Sequence, residues 1–208
     1  MEYNLHGKVA VITGASQGLG LEIARHFLKA GANLAICARN EQILEEVKGS
    51  LSASALSNQK VFCLGVDVSI ESDVNNFINK ALEYFGNIDI LVNNAGIYGP
   101  KGGIDSVDWD DWVKSIEINL FGSILMCRSV LPYFKKQGHG KIIQLSGGGA
   151  TSPMPNISGY AVSKVAIVRF VETLAEEVRG FKIDVNAIAP GALNTRLLDE
   201  IIKAGPDK

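Results

Sequence analysis

Short apolar runs and longer stretches with helical patterns follow one another along the chain in regular alternation. The apolar runs carry Val, Ile and Leu at consecutive positions, which is typical of strands that are buried on both faces of a parallel sheet. Six of these runs are predicted to be strands: 8–13, 33–37, 60–66, 88–92, 141–145 and 182–188.

The stretches between the strands are predicted to be helices. They lie at 18–30, 41–56, 70–85, 109–136 and 158–179, with a short helical segment at 194–204. Strands that alternate with helices indicate an α/β fold, in which a doubly wound parallel sheet is covered by helices on both faces. No internal boundary divides the chain, so residues 1–208 are expected to form a single domain.

Composition narrows the set of partners. Of the 208 residues, 47% are hydrophobic and 20% are charged, which is ordinary for a globular protein. The net charge is −2, from 20 basic and 22 acidic residues without a block of like charge. We therefore expect a small-molecule partner, and neither nucleic acid nor a membrane surface. The first residues lack a signal-peptide pattern and no apolar run approaches the roughly 20 residues that span a bilayer, so a cytoplasmic location is expected.

Cysteine and histidine do not form a metal-ligand pattern. The cysteines are odd in number, widely spaced and set among apolar neighbours, which indicates reduced thiols in the core: Cys37, Cys63 and Cys127. The histidines are expected on the surface or in loops: His6, His26 and His139. No metal site is predicted.

A glycine-rich turn joins the first predicted strand to the first helix. Residues 13–20 read Thr-Gly-Ala-Ser-Gln-Gly-Leu-Gly. Gly14 permits a tight turn, and Gly18 and Gly20 lack the Cβ atoms that would keep a ligand away from the backbone. Because a helix start directs free N–H groups outward, this turn is suited to an anion, most simply a pyrophosphate.

Two further motifs, Asn93-Asn-Ala-Gly96 and Tyr160-Ala-Val-Ser-Lys164, accompany that turn. In this combination the chain closely resembles the classical short-chain dehydrogenases/reductases. The resemblance implies a Rossmann-like fold that binds a nicotinamide dinucleotide, and it covers almost all of the chain. Similar proteins continue past the segment at 194–204 into another long helix and a seventh strand, so the C-terminal end is expected to be shortened relative to the family.

The resemblance also implies residues that contact the cofactor. The motifs follow the ends of successive strands, where doubly wound sheets bind their ligands. Asp67 and Val68 are expected at the adenine, and 190–195 at the nicotinamide, while capping the next helix and stabilising a turn are the alternatives for Asp67 and Asn93. The expected cofactor contacts are Thr13, Gly14, Ser16, Gln17, Gly18, Leu19, Gly20, Arg39, Asp67, Val68, Asn93, Ala95, Gly96, Tyr160, Lys164, Pro190, Gly191 and Thr195.

The end of the second strand favours NADP(H) over NAD(H). An NAD site of this kind needs a carboxylate there for the ribose hydroxyls, whereas a 2′-phosphate needs positive charge. Ala38 stands in place of the acid and Arg39 follows it. Gln17 occupies the place of a second basic residue that many NADP-using relatives carry, so NAD(H) and a merely solvated Arg39 remain alternatives.

Tyr160 and Lys164 lie four residues apart on a predicted helix, and so on one face. A carbonyl that is reduced must receive a proton, and a phenol supplies it when a neighbouring ammonium and an oxidised nicotinamide lower its pKa. By resemblance Tyr160 is the general acid/base, Lys164 is its electrostatic partner and a ribose ligand, and Asn119 holds a water on the proton path. A buried structural amide is the alternative for Asn119.

The carbonyl-binding Ser of the family falls on Gly147 in this chain, and Ser146 lies one position earlier. Because side chains alternate across a strand, that offset would point Ser146 away from the site. The glycines at 147–149 allow a sharp turn that relieves the offset. Ser146 is therefore a candidate catalytic residue.

These features predict an oxidoreductase that transfers a hydride between NADP(H) and a ketone, aldehyde or secondary alcohol on a small organic substrate. A non-catalytic NADP(H)-binding sensor or scaffold is the alternative, because of Gly147. A nucleotide-sugar epimerase or dehydratase is a third hypothesis, disfavoured because similar proteins of that type have a different glycine spacing.

The sequence also predicts the assembly of the protein and the character of one loop near the site. Phe121, Leu125, Val168 and Val171 look outward on helices 109–136 and 158–179, which predicts a homodimer or homotetramer. Residues 98–103 follow the end of the fourth strand and are interpreted as a mobile wall of the site or a plain surface loop.

Overall fold

Six parallel strands form one sheet in the computed structural model, which describes residues 4–191. The strands are β1 Val9–Thr13, β2 Asn33–Ala38, β3 Val61–Gly65, β4 Ile90–Asn93, β5 Gly140–Leu145 and β6 Ile183–Ile188. Their order across the sheet is β3-β2-β1-β4-β5-β6. The predicted α/β, Rossmann-like fold is confirmed, and all six predicted strands are present with ends shifted by at most two residues.

The helices are α1 Gly18–Lys29, α2 Glu41–Ser54, α3 Glu71–Phe85, α4 Trp109–Ile116, α5 Gly122–Gln137 and α6 Ser158–Glu177. The helical stretch predicted at 109–136 is present, and a π-helical turn within it, Glu117–Phe121, separates α4 from α5. The segment predicted at 194–204 lies outside the described residues. Within 4–191, no helix is both long and apolar enough to cross a membrane.

Both faces of the sheet are buried at the central strands β1, β2 and β4, which explains why these strands are continuously apolar, whereas the edge strand β6 alternates between buried and exposed residues. In β1, Val9 and Val11 pack with side chains of α3, α5 and α6, whereas Ala10 and Ile12 pack with side chains of α1 and α2. Val171 belongs to the first of these clusters, so the expectation that it faces outward was wrong.

The three cysteines are free and buried, as predicted. Burial raises the pKa of Cys63 and of Cys127 to about 12, so both thiols stay protonated at neutral pH.

The strand order reverses beside β1. Val11 pairs with Ala35 of β2 on one side and with Leu91 of β4 on the other. From β1 the sheet is extended by β2 and β3 on one side and by β4, β5 and β6 on the other. The helices after β1 and β4 therefore lie on opposite faces of the sheet, and a crevice is left at the carboxyl ends of these two strands. The fold thus places the segments that follow β1 and β4 at the point where such sheets bind ligands.

Candidate active site

The turn after β1 has a backbone that needs glycine. Gly14 and Gly18 have φ angles of +64° and +55°, in the left-handed region. Gly20 lies so close to the carbonyl oxygen of Gly14 and to the side-chain amide of Asn94 that a Cβ would overlap both. The glycines therefore allow the turn to close against the segment after β4.

Thr13 and Asn94 join these two segments. The Thr13 hydroxyl accepts the N–H groups of Asn94 and Ala95, each at 3.0 Å. In return, the Asn94 side chain donates to the carbonyls of Thr13 at 3.0 Å and Gly14 at 3.2 Å. Asn94 was not among the predicted site residues, and the signal for it in the sequence is the pair of adjacent asparagines.

Asn93 points away from the crevice. Its side-chain nitrogen donates to the carbonyl of Ser123 at 3.2 Å and lies 3.5 Å from the Cys127 sulfur, both on α5. Its side-chain oxygen is buried without a partner in the part of the chain that the structure describes. These contacts agree with the alternative that Asn93 stabilises the turn. Its expected contact with the cofactor stays a prediction.

The start of α1 suits an anion. Gln17 is the N-cap residue, and its side chain makes no capping hydrogen bond. By contrast, the side chains of Asn40 and Asp108 cap α2 and α4. Because no side chain caps the first N–H groups of α1, these groups can bind a phosphate, and the glycine turn beside them leaves room for it. The residues present thus fit a dinucleotide.

Arg39 is exposed directly after β2, where no carboxylate ends the strand. Nothing within 4–191 forms an ion pair with Arg39. Nearby, Asp67 accepts the Ser69 N–H at 2.9 Å and the Ser69 hydroxyl at 2.6 Å. Burial alone would raise the pKa of Asp67, but these hydrogen bonds, with the charges of Lys114 and Arg39, hold it below its usual value. Asp67 is thus ionised and already bound within its own turn.

Helix α6 brings Tyr160 and Lys164 to the end of β5, where both are buried. The Lys164 ammonium donates to the carbonyl of Leu145 at 2.7 Å and lies 5.4 Å from the centre of the Tyr160 ring. Burial lowers the pKa of Lys164 to about 8. Burial, and secondly the charge of Tyr98, raise the pKa of Tyr160 to about 12. The pair is therefore a protonated phenol beside an amine that titrates near neutral pH.

Asn119 lies in the π-helical turn, a feature that is frequent at functional sites. Its side chain donates to the carbonyl of Ile97 and accepts the N–H of Ile97, both at 2.8 Å. A Cβ on Gly96 would lie 3.1 Å from the Asn119 oxygen and 3.8 Å from the Lys164 nitrogen. Asn119 and Lys164 thus both reach the segment after β4, and the amide of Asn119 holds its backbone.

The Ser146 hydroxyl bonds to the backbone of α6. That hydroxyl is buried and donates to the backbone carbonyl of Lys164 at 3.1 Å. The next residue, Gly147, has the Tyr160 hydroxyl in the space that a side chain would fill. The catalytic role of Ser146 stays a prediction, and its contacts are those of a residue that fastens β5 to α6.

The other predicted contacts that the structure describes lie in three places. Ser16 and Leu19 lie on the turn before or within the start of α1, and Pro190 and Gly191 follow β6. Val68 packs against Gly122 at the start of α5. Thr195 lies outside the described residues.

Comparisons with known proteins agree with this geometry. Residues 8–205 match the family model described as short chain dehydrogenase. Dehydrogenase/reductase SDR family member 4 of Homo sapiens is 34% identical over 191 residues, covering 92% of this chain and 68% of that protein.

Two solved structures show the same fold. Levodione reductase superposes with a TM-score of 0.92 at 31% identity, covering 98% of this chain and 79% of the other. A 3-ketoacyl-(acyl-carrier-protein) reductase from Brucella melitensis complexed with NADH has a TM-score of 0.88 at 35% identity, covering 94% and 80%. The chain therefore belongs to the short-chain dehydrogenase family, oxidoreductases that act on CH–OH groups with a nicotinamide cofactor.

Proposed function

We propose that this chain is an NADP(H)-dependent oxidoreductase that interconverts a ketone or aldehyde and the corresponding alcohol on a small organic substrate. The observation that carries the proposal is the buried pair on α6, where the Lys164 ammonium lies over the Tyr160 ring at the carboxyl end of β5. A protein that only binds a nucleotide has no need for a titratable pair in that place.

The cofactor would be held by the glycine turn after β1, the uncapped start of α1 and Arg39. When bound, the nicotinamide supplies the hydride for reduction or accepts it for oxidation. Arg39 would supply the positive charge that a 2′-phosphate needs, and no carboxylate stands at the end of β2 to repel that phosphate. This arrangement favours NADP(H) over NAD(H).

Tyr160 would hold and transfer the proton. Burial keeps its phenol protonated at neutral pH, so the proton is present when a carbonyl oxygen needs it. The nearby Lys164 ammonium favours the phenolate that remains after transfer. Burial also excludes water from the pair, which strengthens that electrostatic interaction. The same two residues work in reverse for alcohol oxidation.

Turnover of carbonyl compounds tests this function. NADPH oxidation is followed with a panel of ketones, aldehydes and sugar derivatives, using the wild type and Tyr160→Phe. We expect the wild type to reduce at least one compound and Tyr160→Phe to lose that activity while it still binds NADPH. Binding of NADPH without reduction of any compound would favour the sensor or scaffold instead.

We further propose that the protein is a homodimer or homotetramer. Phe121, Val162 and Val165 are about half exposed on the π-helical turn and α6, which contact each other. Apolar side chains on neighbouring elements form a self-complementary surface when a second copy is related by a two-fold axis. Light scattering at micromolar concentration tests the assembly, and a monomer would contradict it.

A further inference from the structure

A relay of hydrogen bonds joins α4 to the turn that follows β3. The Lys114 ammonium donates to the Ser69 hydroxyl at 3.0 Å, and this hydroxyl donates to Oδ1 of Asp67 at 2.6 Å. The Ser69 N–H donates to the same oxygen at 2.9 Å. Because a hydroxyl has a single proton, the bond from Lys114 to its oxygen helps to direct that proton to Asp67.

The other end of the relay is held on the helical stretch that borders the crevice. The Lys114 ammonium lies 3.2 Å from a carboxylate oxygen of Glu117, which begins the π-helical turn. The same turn carries Asn119, whose side chain makes two hydrogen bonds of 2.8 Å to the backbone of Ile97. Lys114 therefore connects the turn after β3 to a stretch that also holds the segment after β4.

The relay uses only one oxygen of the Asp67 carboxylate. Within residues 4–191, the second oxygen, Oδ2, accepts no hydrogen bond, and Asp67 is partly exposed. Burial raises the pKa of Asp67, but the hydrogen bonds from Ser69 and the charge of Lys114 outweigh burial and leave the pKa below its usual value. Asp67 thus offers one charged acceptor oxygen to a donor group of a ligand.

The order of the strands relates this oxygen to the base of the cofactor. The proposed phosphate site follows β1 and Arg39 follows β2, so the adenosine half of the cofactor would run from β1 towards β2. The next strand in the sheet is β3. Its end is level with that of β2, because Gly65 pairs with Ala38 and the Val66 N–H donates to the Ala38 carbonyl at 3.0 Å. Asp67 comes next, on the side where the base would extend beyond the ribose.

We propose that Lys114 is a positioning residue for recognition of the adenine ring, an inference that rests on the proposed function. Through the Ser69 hydroxyl, Lys114 holds the Asp67 carboxylate with Oδ1 in the relay and leaves Oδ2 to accept the amino group of adenine. Lys114 itself does not touch the cofactor.

The reduced form of nicotinamide hypoxanthine dinucleotide phosphate tests the inference, because it carries an acceptor oxygen in place of the adenine amino group. Fluorescence titration gives the Kd of this analogue and of NADPH. The wild type should bind NADPH at least about 10-fold more tightly, since only adenine offers an amino donor to the carboxylate. In Lys114→Met this ratio should fall to about 3-fold or less. Both ligands carry the same phosphates, so the ratio does not respond to the lost positive charge.

Lys48→Met is the matched control. Lys48 also lies 3.2 Å from a glutamate three residues away, Glu45, and its side chain is similarly exposed. Its ratio should be that of the wild type. Ser69→Ala should lower the ratio as Lys114→Met does, and the double variant should lower it no further, because both changes break one relay. Lys114→Arg, which keeps a charged donor, should recover part of the ratio.

Each other outcome has a definite meaning. Equal affinity of the wild type for NADPH and the analogue would overturn the inference and leave the proposed function standing. An unchanged ratio in Lys114→Met would also overturn it, because Lys114 would then act at most through its charge. If Lys114→Met does not fold, an unchanged ratio in Ser69→Ala decides against the relay. A wild type that binds neither ligand would overturn both proposals.

Discussion

The Tyr160 hydroxyl occupies the space in which a Cβ on Gly147 would lie. Gly147 has φ 179° and ψ −179°, an extended conformation that any residue adopts. Glycine is therefore required here by the approach of Tyr160, and not by the backbone.

Restoring the side chain at this position should damage the enzyme. Gly147→Ser places its Cβ on the Tyr160 hydroxyl, and displacing a reacting group by about 1 Å costs on the order of 10²-fold in rate. We expect kcat to fall by about that factor. Gly148→Ser is the control, because its nearest neighbour is the Met154 sulfur at 3.9 Å. Higher turnover in Gly147→Ser would mean that the ring moves aside and the new hydroxyl binds the substrate.

Removing the hydroxyl of Ser146 should affect stability more than turnover. Ser146→Ala leaves the Lys164 carbonyl without this donor, which should cost about 1 kcal/mol in the free energy of unfolding. Ser163→Ala is a matched control, because its buried hydroxyl donates to the Tyr160 carbonyl at 2.7 Å. Urea unfolding and steady-state kinetics measure both effects. A large loss of kcat confined to Ser146→Ala would instead make Ser146 a carbonyl donor.

Arg39 should decide the cofactor preference. Arg39→Ala removes a charge-assisted contact to the 2′-phosphate and should weaken NADPH binding by about 1.5–3 kcal/mol, roughly 10- to 100-fold. NADH binding should not change. Arg25→Ala is the control, since Arg25 pairs with Glu22 on the surface of α1. Equal NADH and NADPH affinities in the wild type, from fluorescence titration, would contradict the preference.

The glycine turn should tolerate no Cβ at Gly20. Gly20→Ala overlaps the Gly14 carbonyl and the Asn94 amide, and overpacking of this kind costs about 1–3 kcal/mol of stability. NADPH affinity should fall with it, because the turn must open. Gly49→Ala in α2 has no atom within 4 Å and should stabilise the protein by up to about 1 kcal/mol. Thermal unfolding compares the stabilities of Gly20→Ala and Gly49→Ala. Equal stabilities would contradict the close approach of Gly20 to Gly14 and Asn94.

Lys164 should make stability depend on pH. Its pKa is lowered by burial from 10.5 to about 8, so the unfolded chain binds more protons than the folded chain between these values. The contribution of Lys164 to stability therefore rises with pH across that window. Wild type should gain stability relative to Lys164→Met between about pH 8 and pH 10, measured by urea unfolding. A difference in the free energy of unfolding between the two proteins that stays constant with pH would show that the pKa of Lys164 is not lowered.

The strands were predictable because burial on both faces leaves continuous apolar runs, as in β1, and the sheet edge that binds the ligand follows from their order. The π-helical turn could not be predicted from the sequence. Glu117–Phe121 contains no Gly or Pro, and its extra residue does not interrupt the pattern of polar and apolar residues along the helix. Its consequence, the contact of Asn119 with Ile97, depends on that extra residue.

The direction of individual side chains was the second feature that could not be predicted from the sequence. Asn93 ends β4 and Asn94 follows it, and the direction of the backbone at that point decides that the side chain of Asn94 reaches the glycine turn while that of Asn93 faces α5. Tyr98 lies in a segment that its glycines suggested was loose, and long-range contacts hold it. Alternation along β5 predicts that Ser146 faces away, and the glycines after it leave the opposite outcome open; the structure gives its hydroxyl one hydrogen bond, to the Lys164 carbonyl.

The π-helical turn also sets the rotational phase between α4 and α5. Because each residue of an α-helix advances by about 100°, deleting one residue between Trp112 and Asn119 would turn the whole of α5 by about that angle relative to α4. Phe134 would leave the core and Asn119 would leave Ile97 in the same step. Loops elsewhere in such a fold can gain or lose a single residue. This helical stretch cannot, because Phe134 must stay in the core while Asn119 stays in contact with Ile97.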